Sequence, residues 1–197
     1  KYPDPKYPDP KYPDPKYPRT TNNPVFDGLR TGTMNIFIHD NNIKQCARAH
    51  CDQDVGKMIL ESAQLLCTAL NEKGFTTPYR STHVHHPCTL WVGESFDNFQ
   101  WLVGLSYALN DKYRWRYAKP KDHASIAVIR QIEGLRSAAL GLTPFAQAMP
   151  DPYKAPDEPV TACRRFYCTE KSAFATWTKR SVPDWYVPAA TSEALPS

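Results

Sequence analysis

No apolar run in this chain approaches the roughly 18 residues that a bilayer-spanning helix needs, so the sequence predicts a soluble protein with no membrane partner. The first residues, KYPDP, are polar and proline-rich, so a secretory signal is not expected there. A phosphate-binding glycine loop, a dinucleotide glycine fingerprint, a G-x-S-x-G elbow and an H-E-x-x-H pair are all missing. Their absence argues against nucleoside-triphosphate hydrolysis, dinucleotide redox chemistry, and the common serine hydrolase and zincin classes. There is no C-x2-C knuckle among the six cysteines, at 46, 51, 67, 88, 163 and 168. The chain is long enough to bury a core without disulfides. The thiols therefore read as reduced and structural, in a cytoplasmic protein. A large excess of charge of one sign is missing too. The net charge of +4 permits an anionic partner without demanding one.

What is present starts with a repeat. Residues 1–20 read KYPDP KYPDP KYPDP KYPRT. Proline removes the backbone donor and fixes φ, so this arm is expected to be extended, polyproline-like chain. Residues 21–33 show no periodicity, and Met34 is followed at once by the apolar stretch MNIFI. The junction reads as a native start, with 1–33 as a leader, extension or upstream sequence read in frame. The domain plan is then a proline-rich arm and linker over 1–33, a helical domain over 34–186 and a tail over 187–197.

The helical domain is predicted to be all-α, with about four to five helices and a short extended segment or strand at 34–38. Its centre is 51–73, where Val55, Met58, Ile59, Leu65, Leu66, Ala69 and Leu70 recur at helical spacing before Lys73-Gly74. Asp40 is the expected cap of a short preceding helix. A second long helix is expected from His86-Pro87 to about Tyr117. A third should be capped by Asp122 and run to Gly141, and a last should span about 159–180. Between these last two, 141–158 holds four prolines and reads as loop. From Val182 the chain is expected to fray.

Three constellations carry candidate chemistry. On the polar face of the central helix, Lys57 and Glu61 stand at i,i+4, usually a solvated surface pair but also the spacing of an amine beside a general acid/base. THVHHPC, 82–88, gathers His83, His85, His86 and Cys88, with Cys46, His50 and Cys51 as further donors. No spacing fits a metal knuckle, so no metal and no cofactor is assigned. The loop histidines read instead as orienting a site residue or contacting phosphate when protonated. YRWRYAKPK, 113–121, interleaves Arg114, Arg116, Lys119 and Lys121 with Tyr113, Trp115 and Tyr117, the mixture that pairs with phosphates and stacks on bases. A helix end with an aromatic stripe explains the same letters equally well.

Five motifs in order, MNIFI, CDQDVGKMILESAQLLCTAL, THVHHPCTLWVGES with FDNFQWL, LTPFAQAMPD, and CRRFYCTEKSAFATW with PDWY, resemble a family of small proteins of tailed phages and some bacteria. Through it the chain is similar to the pyrimidine dimer DNA glycosylases of the phage endonuclease V type. In those enzymes an Asp-Gln-His triplet opens a helix, with the catalytic glutamate seven residues after its histidine. Here Asp52-Gln53-Asp54 precedes Glu61 by the same interval, with Asp54 in place of the histidine. The resemblance implies a compact all-α enzyme that flips nucleotides, attacks the sugar carbon with an amine, cleaves the glycosidic bond and nicks the backbone by elimination. It places the nucleophilic amine on the residue after the initiator methionine, which matches Asn35. In the chain as written that nitrogen lies inside a peptide bond, so either the leader is removed, Lys57 takes the role, or the activity is absent. DNA is the expected partner, with His83, His86, Arg114, Trp115, Arg116, Lys119 and Lys121 as its contacts. Two other classes compete: a non-catalytic binder of nucleic acid or of a host protein, and an assembly subunit self-associating through residues 1–20.

Overall fold

The five-residue segment Met34–Ile38 is extended and threaded into the interior, with Ile38 wholly buried and Met34, Ile36 and Phe37 at 3 % exposure. It makes no strand. Ile38 donates its N–H to Cys163 Sγ at 3.3 Å, and the Phe37 ring stacks on Phe166 and meets Tyr167 edge-on. Of the two readings the sequence allowed, the apolar plug is the one found. These features come from a computed structural model, which describes residues 34–135 and 140–188. The 1–33 arm, and with it the expected self-association of 1–20, lies outside the described residues, as does the tail beyond 188.

Six α-helices appear among the described residues: α1, Ile43–Ala49; α2, Asp52–Asn71; α3, Pro87–Glu94; α4, Phe96–Arg116; α5, Ala124–Ile132; and α6, Pro159–Glu170. A 3-10 turn covers Asp151–Tyr153. The all-α expectation holds. The amphipathic repeat of α2 is why it sits at the centre. Val55, Ile59, Leu65, Leu66 and Leu70 are buried to within 1 %, and α2 packs on α3, α4 and α5. Each such side chain contributes about 1.5–3 kcal/mol through removal from water. Gly74 closes the helix with φ +86°, donating back to Asn71 O, as its lack of a Cβ permits.

Several boundaries differ from expectation, each for a local reason. α1 is capped by Asn42, whose Oδ1 accepts from Lys44 and Gln45, while Asp40 spends its carboxylate on the Asn42 N–H. α5 is capped by His123, because Asp122 is drawn away to Arg130, Arg114 and Asn110. The expected single helix over 86–117 is broken at Ser95. Its extended backbone turns the chain, and its Oγ accepts from Asn98 N at 3.0 Å to restart α4. The last helix stops at Glu170. The chain from 171 to 188 folds back instead of fraying, with Trp177 and Pro183 buried and Trp185 stacked over His39. All six cysteines are free, and burial pushes the thiols of Cys46, Cys88 and Cys163 up to about 12. Among the described residues no helix is long and apolar enough to cross a membrane.

Candidate functional site

Glu61 lies on α2 one turn after Lys57, and the fold covers it with the plug segment. Its Oε2 accepts from the backbone nitrogen of Asn35 at 3.2 Å, and its Oε1 lies 3.2 Å from Lys57 Nζ. The Glu61 residue is 7 % exposed while the Lys57 side chain is 47 % exposed, so the carboxylate forms the floor and the amine the rim. Burial raises the carboxyl pKa above its usual 4.5, against the opposing pull of Lys57 and of the Asn35 N–H. The pair is therefore more than a solvated surface contact.

The Asn35 side chain fixes where its own nitrogen points. Nδ2 donates to Ala148 O at 3.1 Å, and Oδ1 accepts the Ile36 N–H at 2.7 Å, with the Cys88 thiol at 3.8 Å. Met34, immediately before, is buried against the 82–88 loop, with Thr82 Oγ1 3.9 Å from its sulfur. That loop thus belongs to the site, anchored by Thr82 N on Thr68 Oγ1 and by Thr89 Oγ1 on His83 O. His83 is exposed, with φ +53°. His86 caps α3, its Nδ1 accepting from Cys88 N, and burial lowers its pKa. With Nδ1 as the acceptor the ring is neutral, and Nε2–H is the donor left for any outside contact. Cys88 serves the Asn35 shell. Among the described residues no three His, Cys, Asp or Glu side chains converge as a metal-binding group.

The 113–121 cluster is placed elsewhere. Arg116 is a correction: its side chain is fully buried, donating to His50 O, Arg48 O and Asp52 Oδ1. It caps the C-terminal carbonyls of α1 and has no surface for phosphate. Asp52 is nine residues before Glu61, about two and a half turns, so Arg116 approaches the opposite face of α2 from the one bearing Glu61. Trp115 is 52 % exposed, and Lys119 and Lys121 are exposed; Arg114 is exposed and paired with Asp122. These four are exposed, and among the described residues none of them hydrogen-bonds or ion-pairs with Asn35, Lys57 or Glu61.

The Asp52-Gln53-Asp54 triplet anchors the returning chain. Asp52 accepts from Thr178 N and Oγ1, and Gln53 Nε2 donates to Phe174 O at 2.7 Å. Asp54 accepts from Tyr167 OH at 2.5 Å and pairs with Lys171 at 3.3 Å. Asp54 and Glu61, seven residues apart, share one face of α2. Two contributors escaped the sequence reading. Ala148 supplies only a backbone carbonyl. Asn98, wholly buried, pins the 143 loop with bonds to Thr143 N and Oγ1 and to Trp91 O. An asparagine on an otherwise apolar helix face was the available sign. Comparison with protein-family models, with curated proteins and with solved structures finds no match, so the site is read from its own geometry.

Proposed function

We propose that this chain is a DNA-acting enzyme, an abasic-site lyase and pyrimidine-dimer glycosylase whose nucleophile is the α-amine of Asn35 once the Met34–Asn35 bond is cut. The single observation that supports this reading is the 3.2 Å contact between the Asn35 backbone nitrogen and the Glu61 carboxylate. An amide nitrogen is not nucleophilic; the same atom as a terminal amine, beside a partly buried carboxylate, is. Asn35's side chain bonds hold that nitrogen toward Glu61 independently of what precedes it.

At an abasic site the amine adds to the C1′ aldehyde carbon, and loss of water gives an iminium. Glu61, ionised, removes a C2′ proton, and the electron pair expels the 3′ phosphate with cleavage of the C3′–O bond. Water then hydrolyses the conjugated imine and returns the amine. At a dimer the first step is displacement of the base at C1′, with the departing base carrying away the bonding pair. Lys57, on the rim, supplies positive charge toward the strand and is the other amine within reach of Glu61. The exposed edge of Arg114, Trp115, Lys119 and Lys121 fits the flanking backbone and an unpaired base. A cytoplasmic setting fits the six free thiols.

The test uses the full chain and a form beginning at Asn35, each incubated with an abasic-site duplex and borohydride. A covalent adduct from the shortened form alone supports the Asn35 amine. An adduct from both, lost on Lys57→Ala, transfers the role to Lys57. No adduct from either, with ultraviolet-treated DNA left intact, removes the lyase reading in favour of binding alone.

A further inference from the structure

The C-terminal carbonyls of α1 collect cations. Arg116 donates to Arg48 O and His50 O, Trp177 Nε1 to Ala49 O, and Arg180 to Arg48 O and Ser181 O. The consequence is a crowd of guanidinium groups with few acids to balance it. Arg180 reports the crowding, because burial and the neighbouring charges of Arg48 and Arg116 pull its pKa down to about 10. Neither Arg48 nor Arg180 has a carboxylate partner among the described residues, and the Arg48 side chain makes no hydrogen bond there.

Beside this crowd lies a cavity of about 310 Å³, bounded by Arg48, Arg164, Arg180, His39 and Trp185. Arg164 is held by two bonds to His39 O, at 3.0 and 2.7 Å, with its guanidinium over the Trp185 ring at 5.1 Å. Asp40 and Asp184 also reach the wall, and Asp40 meets Arg164 only loosely, at 3.8 Å. Three guanidinium groups thus face two carboxylates, with the Arg48 fork, one Arg180 nitrogen and one Arg164 nitrogen uncommitted. His39, fully buried in the same wall, leaves both ring nitrogens without a partner. The volume is at the lower bound of small-ligand pockets, and planar guanidinium forks match tetrahedral oxyanions in charge and spacing.

We propose that this cavity binds a phosphate group, with Arg48 and Arg180 as its direct donors and Arg164 fixing the wall. The phosphate belongs either to a nucleic-acid strand or to a free phosphorylated small molecule. The cavity shares no lining residue with Asn35, Lys57 and Glu61, so the proposal stands apart from the lyase reading.

The full chain is titrated with inorganic phosphate and pyrophosphate, followed by phosphorus NMR, and with a labelled single-stranded oligonucleotide at several salt concentrations. Arg48→Gln is the principal variant, since that side chain holds nothing in the fold; Arg180→Gln follows it, and Lys112→Gln serves as a charge control. Saturable phosphate binding that weakens about tenfold in Arg48→Gln, with oligonucleotide affinity unchanged, assigns a small-molecule phosphate. Weaker oligonucleotide binding in Arg48→Gln, with a salt slope reduced by about 0.7, assigns a strand phosphate. The proposal is overturned if neither ligand saturates, if Arg48→Gln changes neither affinity, or if Lys112→Gln lowers both as much as Arg48→Gln.

Discussion

Glu61 is the residue on which the proposed chemistry turns, and its burial makes a signed prediction. Because the carboxyl pKa is raised above 4.5, the ionised general base forms only at higher pH. The lyase rate of the form beginning at Asn35 should climb with pH along a limb on which Glu61 and the new α-amine beside it give up protons, and a stopped-time nicking assay across pH 4–8 checks it. Glu61→Gln should remove the Glu61 part of that limb and cost about 10²–10⁴ in rate. The same raised pKa means that ionisation weakens the fold as pH climbs through the window above 4.5, so the glutamine variant should melt no lower than the parent at pH 7. Arg116 carries the opposite expectation, since its guanidinium is buried on two carbonyls and Asp52. Arg116→Ala should destabilise by about 3 kcal/mol in urea unfolding, against under about 1 kcal/mol for exposed Arg114→Ala. The Lys57/Glu61 pair was legible from its spacing, whereas the approach of the Asn35 nitrogen to Glu61 arises from the packing of the plug segment on α2. The burial of Arg116 was not, because a run of alternating basic and aromatic residues says nothing about which long side chain reaches back under a helix end.

At the scale of elements, strong periodicity was readable and competition among polar neighbours was not. The apolar stripe of α2 and the turn at Gly74 follow directly from residue order. Asn42 and His123 took the capping roles expected of Asp40 and Asp122 because each aspartate had a better partner nearby. The break at Ser95 hid within a pattern that stays apolar from Trp91 to Leu109, where only a backbone change separates α3 from α4. Ser95→Ala removes the α4 cap on Asn98 N, a loss of about 1 kcal/mol in thermal or urea unfolding. Since Asn98 also pins the 143 loop that leads to Ala148, this variant should loosen the support of Asn35, read as faster amide exchange at Thr143.

At the scale of the molecule, the plug segment, α1 and α6 enclose two histidines that the fold keeps neutral. Burial lowers His50 to about 4 and His39 well below 6.5. Both rings take up protons only on unfolding, so their contribution is intact above pH 6.5 and is lost as pH falls toward 4. Stability between pH 6.5 and 5 should fall by up to about 2.7 kcal/mol per pH unit from this pair, measured by urea unfolding at stepped pH. That sensitivity has no counterpart in the sequence, where His39 and His50 stand eleven residues apart without a motif. The central claim, however, concerns one nitrogen at the buried end of the same segment. The measurement that tests it most directly is peptide mass mapping of the borohydride-trapped adduct formed by the chain beginning at Asn35. The account predicts the sugar remnant on the α-amine of Asn35. A remnant on Lys57, or no trapped adduct at all, would contradict it.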